Sequence, residues 1–264
     1  MFSIEFLNDL RDAEIERVVG LFPRGARVLE IGAGTGRQAA ELRRRGFEIE
    51  AIEIAASNYA GSRVFPITEY DGRHIPFPDA GFDVVFTSNV LEHVPDLAQL
   101  HAEVRRVLKP GGVCVHLMPT VSWRFWTTVT AFPTAFQKIA ALGGELRRPG
   151  QSWAQRLRRL ATLPVRAVGT LLAPFFQNRH GERGNVLSEL WLFRAAWWRR
   201  NFLRNGFEIV EDHPSGLFYT GYFLLGRRLS LARRERWSRR LGSACHVFQL
   251  RVAAAAPPAP ATGA

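Results

Sequence analysis

Apolar residues follow two different rhythms in the first half of the chain. Near the amino terminus they recur three or four positions apart, which predicts an amphipathic helix ending at about Pro23. The segment "ARVLEIG" then predicts a short strand, "GRQAAELRRRG" a helix ending at Gly46, and "FEIEAIEI" a second strand with alternating character. The predicted order is strand, helix, strand.

Strands and helices continue to alternate up to Pro119. A third strand is predicted near residues 64–67, and "FDVVFTSNV" predicts a buried fourth strand because its centre is apolar without alternation. Asp96 is a suitable cap for a helix with one apolar stripe, "KPGG" ends that helix, and "VCVHLMP" predicts a fifth strand. This alternation indicates an α/β fold with a mostly parallel sheet covered on both faces.

The pattern changes after Pro119. Aromatic and basic segments interrupted by prolines and glycines predict short helices inserted into the fold over residues 120–180. A Trp- and Arg-rich helix is predicted over residues 188–204, followed by an antiparallel strand pair at "FEIVED" and "LFYTGYFLL". A last helix is predicted from the stripe Trp237, Leu241, Ala244, Cys245 and Phe248. The predicted units are a domain at 1–228, a basic helix at 229–252 and a disordered tail at 253–264.

Composition alone excludes few classes of protein. The chain has 264 residues, 47% of them hydrophobic, which suffices for a packed core. Its net charge of +11 suits an anionic partner, although the charge alone does not choose among such partners. The two cysteines are too few for a disulfide framework or a metal cluster, and no metal site is predicted. Since no secretory signal and no apolar run of membrane-spanning length is visible, a cytoplasmic location is predicted, with contact to a membrane surface left open.

Three glycines at alternate positions indicate a ligand-binding site. Gly32, Gly34 and Gly36 fall on the turn between the first predicted strand and the first helix after it, where open parallel sheets bind their ligands. Glycines at this density suggest that something approaches the main chain closely. The dinucleotide-binding pattern would place its third glycine at position 37, where this chain has Arg37, and NAD is therefore disfavoured.

Alternate glycines preceded by an acid, Glu30, resemble the first motif of the class I S-adenosylmethionine-dependent methyltransferases, in particular those of type 11. The resemblance covers about residues 25–118 in five ordered pieces, which include Glu53, "YDGRHIPFPDAGFDVVFTSNVLEHVPD" and "RVLKPGG". It implies a Rossmann-like, doubly wound sheet of seven mostly parallel strands with an antiparallel last strand. It also implies a helical insertion after the fifth strand.

The resemblance further implies S-adenosylmethionine as the cofactor. Glu53 would hold both ribose hydroxyls, Asp71 would receive the adenine amino group, and Asn89 would lie beside the methionine end. The implied cofactor contacts are Glu30, Gly32, Ala33, Gly34, Gly36, Glu53, Ile54, Asp71, Gly72 and Asn89. Plainer alternatives remain open, since the glycines could form a tight turn, Glu30 could pair with an arginine, and Asp71 could cap a turn.

The resemblance defines the catalytic residues less closely than the cofactor contacts, because the positively charged sulfur of S-adenosylmethionine activates its own methyl group. Alignment of the acceptor alone can lower the barrier by roughly 7–11 kcal/mol, so a base is not obligatory. A hydroxyl acceptor would profit from one, and His180 and His93 are the candidates. His180 lies in "NRHGERGN", where the family forms its acceptor pocket; the alternative is a polar turn that caps the next helix. His93 lies in "LEHV", and the alternative to a catalytic role for it is a structural one.

The predicted function is methyl transfer to an oxygen or carbon nucleophile of a small molecule or a glycan, free or lipid-linked. The insertion then forms a lid, a helix in contact with a membrane, or part of the core. Nucleic acid is disfavoured as a substrate, because "SNVLEHV" stands where base methyltransferases carry an Asn- or Asp-Pro-Pro-aromatic motif. The alternatives are a non-catalytic scaffold of the same fold that binds a membrane or a protein partner, and an RNA methyltransferase.

Overall fold

Seven strands form one sheet in the computed structural model, which describes residues 4–57, 60–146, 150, 152–222 and 225–254. The strands are β1 (Arg27–Ile31), β2 (Glu48–Ile54), β3 (Thr68–Tyr70), β4 (Phe82–Ser88), β5 (Leu108–Pro119), β6 (Phe207–Pro214) and β7 (Cys245–Val252). Their order across the sheet is β3-β2-β1-β4-β5-β7-β6, and β7 runs antiparallel to both of its neighbours. The expected Rossmann-like sheet with an antiparallel last strand is confirmed.

Helices cover both faces of the sheet. They are α1 (Ile4–Val18), α2 (Arg37–Arg44), α3 (Leu97–Val107), α4 (Val121–Leu146), α5 (Trp153–Leu172), α6 (Val186–Leu192), α7 (Ala195–Arg204) and α8 (Leu231–Leu241). Successive residues of β1 face opposite sides: Leu29 lies in the core with Val104 of α3 and Phe202 of α7, whereas Val28 lies in the core with Ile15 of α1. The cap predicted for α3 is present, since the Asp96 side chain accepts the N–H of Gln99 at 3.0 Å.

The predicted last helix is wrong in its second half. The helix ends at Leu241, and Gly242 follows it with a φ of 85°, in the left-handed region that stops a helix. Cys245 and Phe248, which share a helical spacing with Trp237, belong instead to β7, which pairs with β5 on one side and β6 on the other. Residues 229–252 are therefore a helix followed by a strand at the centre of this half of the sheet.

The strand predicted at "LFYTGYFLL" is also wrong, as far as residues 217–222 are described. This stretch is irregular and its first four residues are buried, without the alternation of an edge strand. Its main chain bonds to helices instead: the N–H of Gly221 donates to Thr127 of α4 at 2.9 Å, and that of Phe218 to the carbonyl of Arg234 in α8 at 3.3 Å. The strand that pairs with "FEIVED" is β7.

The insertion after β5 is helical, as expected, but its helices are long rather than short. α4 has 26 residues and passes through Pro133, and α5 has 20 residues and passes through Pro164. Near Pro133, the hydroxyls of Thr130 and Thr134 donate to main-chain carbonyls one turn earlier, those of Trp126 and Thr130, each at 2.7 Å. Within the described part of the chain, no helix combines the length and apolar character needed to cross a bilayer.

Three smaller predictions differ from the structure or fall outside it. The helix expected over residues 188–204 is divided into α6 and α7, because Phe193 is buried and Arg194 adopts an extended conformation with ψ of 136°. The third strand begins four residues later than expected, at Thr68, and Phe65 packs under the glycine loop instead. Beyond Ala254, the tail predicted to be disordered lies outside the described residues.

Candidate cofactor and acceptor site

The glycine loop joins β1 to α2 at the carboxyl edge of the sheet. Gly32, Gly34 and Gly36 have φ angles of 73°, 58° and 76°, a conformation that side chains disfavour. A Cβ atom on Gly32 would lie 2.5 Å from a methyl group of Val90, and one on Gly36 would lie 2.5 Å from the Cβ of Phe65. The fold of the turn therefore requires glycine at positions 32 and 36, while the main chain of Gly32 and Gly34 stays partly exposed.

Glu53 at the end of β2 supports this loop. Its Oε2 accepts the N–H of Gly34 at 2.8 Å, and its Oε1 accepts the N–H of Ile54 at 2.9 Å. A carboxylate oxygen can accept more than one hydrogen bond, so both oxygens keep acceptor capacity for a diol. Glu53 thus combines a structural role in the loop with the chemistry expected of a ribose ligand.

Glu30 is buried inside the sheet edge, with only 2% of its surface exposed. Burial raises the pKa of its carboxyl to about 8, although a hydrogen bond from the Ala39 main chain and the charge of Arg11 oppose the shift. Its Oε2 has no hydrogen-bond partner among the described residues. The expected alternative, pairing of Glu30 with an arginine, is not found as an ion pair within the part of the chain that the structure describes, and one acceptor oxygen remains for a cationic or N–H group.

The ends of β2 and β3 lie side by side and bring the expected adenine contacts together. Gly72 is close enough to Ile54 that a Cβ on the glycine would lie 3.4 Å from an Ile54 methyl group, and Ile54 itself is exposed. Asp71 caps a turn, since its Oδ1 accepts the N–H groups of Arg73 and His74, each at 2.7 Å. These bonds, first of all that from the His74 N–H, hold the pKa of Asp71 well below its ordinary value. The turn-capping alternative is thus present, and the contact of Asp71 with adenine stays a prediction.

Asn89 follows β4 with a φ of 55° and belongs to a polar cluster that the sequence did not reveal. In this cluster Arg11 donates to Glu14 at 2.6 Å and to the Ser88 hydroxyl at 3.3 Å, and Tyr219 donates to Glu14 at 2.6 Å. The six members are Arg11, Glu14, Ser88, Asn89, Tyr219 and Cys245, the last 3.4 Å from Asn89. The sequence held one sign of this cluster, because Glu14 interrupts the helical apolar stripe between Leu10 and Val18. In the structure Glu14 is fully buried.

The two candidate histidines lie against each other. The rings of His93 and His180 have centroids 4.7 Å apart, and His180 also packs on Trp123 of α4 at 4.5 Å. Burial lowers the pKa of His93 below its ordinary value, which favours the neutral imidazole required of a base. Asn185, the last residue of "NRHGERGN", caps α6 by accepting the N–H groups of Leu187 and Ser188, each at 3.0 Å, so the alternative of a polar turn that caps the next helix is present.

This geometry places a glycine loop, a partly satisfied buried acid and two neighbouring acids at one edge of a seven-stranded sheet. Residues 4–212 match the model of a family described as a methyltransferase domain. The chain belongs to this methyltransferase family. Its cofactor is S-adenosylmethionine, and the recognition as a class I methyltransferase is confirmed.

Relatives of this methyltransferase resemble it over limited lengths. An uncharacterized methyltransferase of Mycobacterium sp. (strain KMS) is 40% identical over 101 residues, which are 35% of this chain and 38% of the relative. A malonyl-[acyl-carrier protein] O-methyltransferase of Serratia marcescens is 29% identical over 146 residues, 53% of this chain and 49% of that protein. The chain thus spans well under two thirds of the length of the curated relatives that it matches.

A solved structure resembles the methyltransferase over most of its length. The S-adenosylmethionine-dependent methyltransferase from Mesorhizobium loti has a TM-score of 0.50 at 16% identity, and the alignment covers 90% of this chain and 97% of that one. At this identity the similarity concerns the fold. The choice of acceptor is therefore a question for the residues of this chain.

The residues of this methyltransferase fit the cofactor chemically. The free oxygen of Glu30 suits the ammonium group of a methionine moiety, and Glu53 suits a ribose diol. The exposed Ile54 beside Gly72 suits the flat face of a purine. These three chemistries lie along one edge of the sheet, in the order in which S-adenosylmethionine carries them.

The raised pKa of Glu30 predicts a pH-dependent stability. Between its ordinary pKa of 4.5 and the folded value of about 8, the folded protein binds a proton that the unfolded chain releases. Stability of the ligand-free protein should therefore fall as pH rises, by up to about 1.4 kcal/mol between pH 6 and pH 7 beyond any change in Glu30→Gln, which cannot titrate. Urea unfolding of both proteins at the two pH values measures this difference, and parallel behaviour of the two would refute it.

Proposed function

We propose that this chain transfers the methyl group of S-adenosylmethionine to an oxygen or carbon nucleophile of a small molecule or a lipid-linked glycan. The observation that carries the proposal is the partly exposed histidine pair: His93 follows β4, four residues after the expected methionine contact at Asn89, and His180 packs against it from the segment before α6. When bound, the cofactor supplies a methyl group on a positively charged sulfur.

The protein's part in this reaction is alignment and proton removal. For a hydroxyl acceptor, the new bond joins its oxygen to the methyl carbon, while the carbon–sulfur bond breaks and its electron pair stays on sulfur. The hydroxyl proton goes to the imidazole of His93 or His180 and then to water. Trp123 and Phe193 pack against the His180 ring and limit its access to water.

The outer face of α5 supports a membrane-bound acceptor. Five of its apolar residues recur at helical spacing and are exposed, and an exposed phenylalanine just after the helix continues the stripe: Trp153, Leu157, Leu160, Val168, Leu171 and then Phe175. Arg156 and Arg158 are exposed on the same helix, and the net charge of the chain is +11. An apolar stripe flanked by arginines is typical of a helix that lies in the interface of an anionic membrane.

The insertion also connects this stripe to the acceptor side. α4 packs against α5 and begins two residues after β5, so that Trp123 in its first turn contacts His180. A glycan attached to a lipid could therefore reach the histidine pair while its lipid remains in the bilayer. This arrangement favours a lipid-linked acceptor over an acceptor that is free in solution.

Replacement of Glu53 tests the cofactor site on which the proposal depends. Glu53→Ala should weaken the binding of S-adenosylhomocysteine by about 1–3 kcal/mol, roughly 5- to 150-fold, because ribose hydroxyls lose a charged acceptor. Glu48→Ala is the matched control, since Glu48 lies at the other end of β2 and pairs with Arg27 at 2.8 Å. Isothermal titration calorimetry measures the affinity of both variants for S-adenosylhomocysteine. Equal affinities would move the ribose site elsewhere, and no binding by the folded wild type would overturn the cofactor assignment.

The acceptor class is tested by following the methyl group. Lysate fractions separated into lipid, glycan, small-molecule and RNA pools are incubated with the protein and labelled S-adenosylmethionine. We expect label in the lipid or glycan pool. Label in the RNA pool would support the RNA methyltransferase alternative, and no transfer to any pool would favour the scaffold.

Membrane contact is tested with anionic vesicles at low salt. The wild type should sediment with the vesicles. The double variant Leu157→Glu/Leu160→Glu should bind them at least about tenfold more weakly, because two exposed apolar side chains leave the interface. Leu203→Glu is the control, since Leu203 is exposed on α7, away from the stripe. Retention that does not differ between the two variants would remove the stripe as the membrane contact.

A further inference from the structure

We propose that Glu92, His93 and His180 form a binding site for a divalent transition-metal cation. The site lies beside the expected acceptor, so the use of the cation in methyl transfer rests on the proposed function. Binding of the cation does not rest on it, because the three side chains belong to the fold itself. The sequence offered no metal-ligand spacing, since His180 lies 87 positions after His93 along the chain.

The three side chains are close enough to share one ion. The Nε2 atoms of His93 and His180 each lie 3.8 Å from the same oxygen, Oε1 of Glu92. One ligand atom from each residue lies within 4.8 Å of the other two. Ligand atoms about 2.1 Å from a common ion are roughly 3–3.5 Å apart, so inward shifts of less than 1 Å would complete the coordination.

The carboxylate of Glu92 is the second, independent observation. Glu92 is only 2% exposed, yet neither of its carboxylate oxygens has a hydrogen-bond partner among the described residues. The nearby guanidinium of Arg183 donates instead to the main-chain carbonyl of Val94, at 2.6 Å. A buried carboxylate without hydrogen bonds is unfavourable unless a cation compensates it, and the two imidazoles mark the place where one would lie.

Main-chain contacts hold the segment of Glu92 and His93 against the segment of His180. The N–H of Glu182 donates to the carbonyl of Glu92 at 2.9 Å. Gly181 allows this approach, because a Cβ there would lie 2.8 Å from the same carbonyl oxygen. The N–H groups of His180 and Gly181 both donate to the buried carboxylate of Glu189. His180 is thus held against Glu92 by contacts that do not use its ring.

Two imidazoles and one carboxylate favour a first-row cation such as Zn²⁺, Mn²⁺ or Fe²⁺ over Ca²⁺ or Mg²⁺. Three protein ligands leave coordination positions open, which is typical of sites where a metal contacts substrate. His93 and His180 are partly exposed, so a substrate can approach those positions. With the cation bound, both imidazoles would serve as ligands and neither would take the proton. A hydroxyl oxygen bound to the cation would instead lose its proton to water more readily and would then attack the methyl carbon, while the carbon–sulfur bond breaks and its electron pair stays on sulfur.

Zinc titration of chelator-treated protein tests the site. We expect one saturable Zn²⁺ site by calorimetry, weakened about a hundredfold or more in Glu92→Gln and in His180→Gln. His213→Gln is the matched control, since His213 lies on β6 and bonds to the neighbouring Pro214 carbonyl, and its Zn²⁺ affinity should equal that of the wild type. Co²⁺ added in place of Zn²⁺ should give visible absorption bands that disappear in the same two variants.

The outcomes separate this proposal from the proposed function. Absence of saturable Zn²⁺ binding, or binding that survives in both variants, would overturn the site whatever the transferase activity. Titration with S-adenosylhomocysteine reports the cofactor site independently, and Glu92→Gln should bind it as the wild type does. Circular dichroism melts of each variant show that it folds; if His180→Gln does not, Glu92→Gln alone decides, because it keeps the shape of the buried side chain.

Discussion

Gly32→Ala should lower the free energy of unfolding by about 2–5 kcal/mol and abolish the binding of S-adenosylhomocysteine. Two costs add. The left-handed conformation at φ of 73° costs a side chain about 1–2 kcal/mol, and a Cβ placed 2.5 Å from the Val90 side chain adds overpacking of about 1–3 kcal/mol. Urea unfolding measures the stability, and calorimetry measures the affinity of the folded variant.

Gly25→Ala is the matched control for the first of these costs. Gly25 has a φ of 67°, close to that of Gly32, but a Cβ there would have no heavy atom within 4 Å. This variant should lose only about 1–2 kcal/mol and keep its affinity for the ligand. Adding Val90→Ala to Gly32→Ala should restore part of the stability, because it removes the clashing methyl groups. Equal losses at positions 25 and 32 would contradict the steric argument.

The parallel half of the sheet was predictable because its signals are local. The segments of β1, β2, β4 and β5 are apolar or alternate in character and are bounded by turn residues. β3 is the exception, because Thr68, Glu69 and Tyr70 form no apolar run and the strand was predicted four residues too early. The glycine loop was predictable for the same reason, since its conformation depends on a few consecutive residues. The identity of its neighbours, Val90 and Phe65, was not, because they come from distant segments.

The carboxyl-terminal part was predicted poorly because tertiary pairing decides it. Cys245 and Phe248 fit a helical stripe as well as a strand, and only the open edge of β5 selects the strand. The segment from Leu217 to Gly221 has the composition of a strand, but its main chain bonds to α4 and α8. Local propensity had no means of distinguishing these two segments.

The candidate site was predictable in its cofactor half and less so in its acceptor half. Glu30 and Glu53 follow directly from the motif order, and both lie at the glycine loop. His180 and His93 were named separately, but nothing in their spacing indicated that they meet. Glu92 was missed altogether, because a glutamate in a polar loop gives no sign that it will be buried without a partner.

Arg124→Met should destabilise the protein by about 3–5 kcal/mol, because it leaves a buried charge without its counterion. Arg124 of α4 and Glu189 of α6 form an ion pair at 3.1 Å, with side chains only 4% and 0% exposed. The matched control is Arg44→Met, whose 2.7 Å pair with Glu41 leaves the arginine 72% exposed and should cost less than about 1 kcal/mol. Urea unfolding of the two variants measures the contrast.

The same pair should also control the histidine site. Glu189 accepts the N–H groups of His180 and Gly181, so a displaced Glu189 releases the segment that presses His180 against Glu92. Arg124→Met should therefore weaken Zn²⁺ binding even though Arg124 touches none of the three ligands. Its affinity for S-adenosylhomocysteine should not change, because the expected cofactor contacts at the glycine loop, Glu30 and Glu53 involve neither Arg124 nor Glu189. A loss of both affinities would mean that the variant unfolds more widely. Unchanged Zn²⁺ affinity in a destabilised variant would mean that His180 is held by the rings of Trp123 and Phe193 rather than by its main chain.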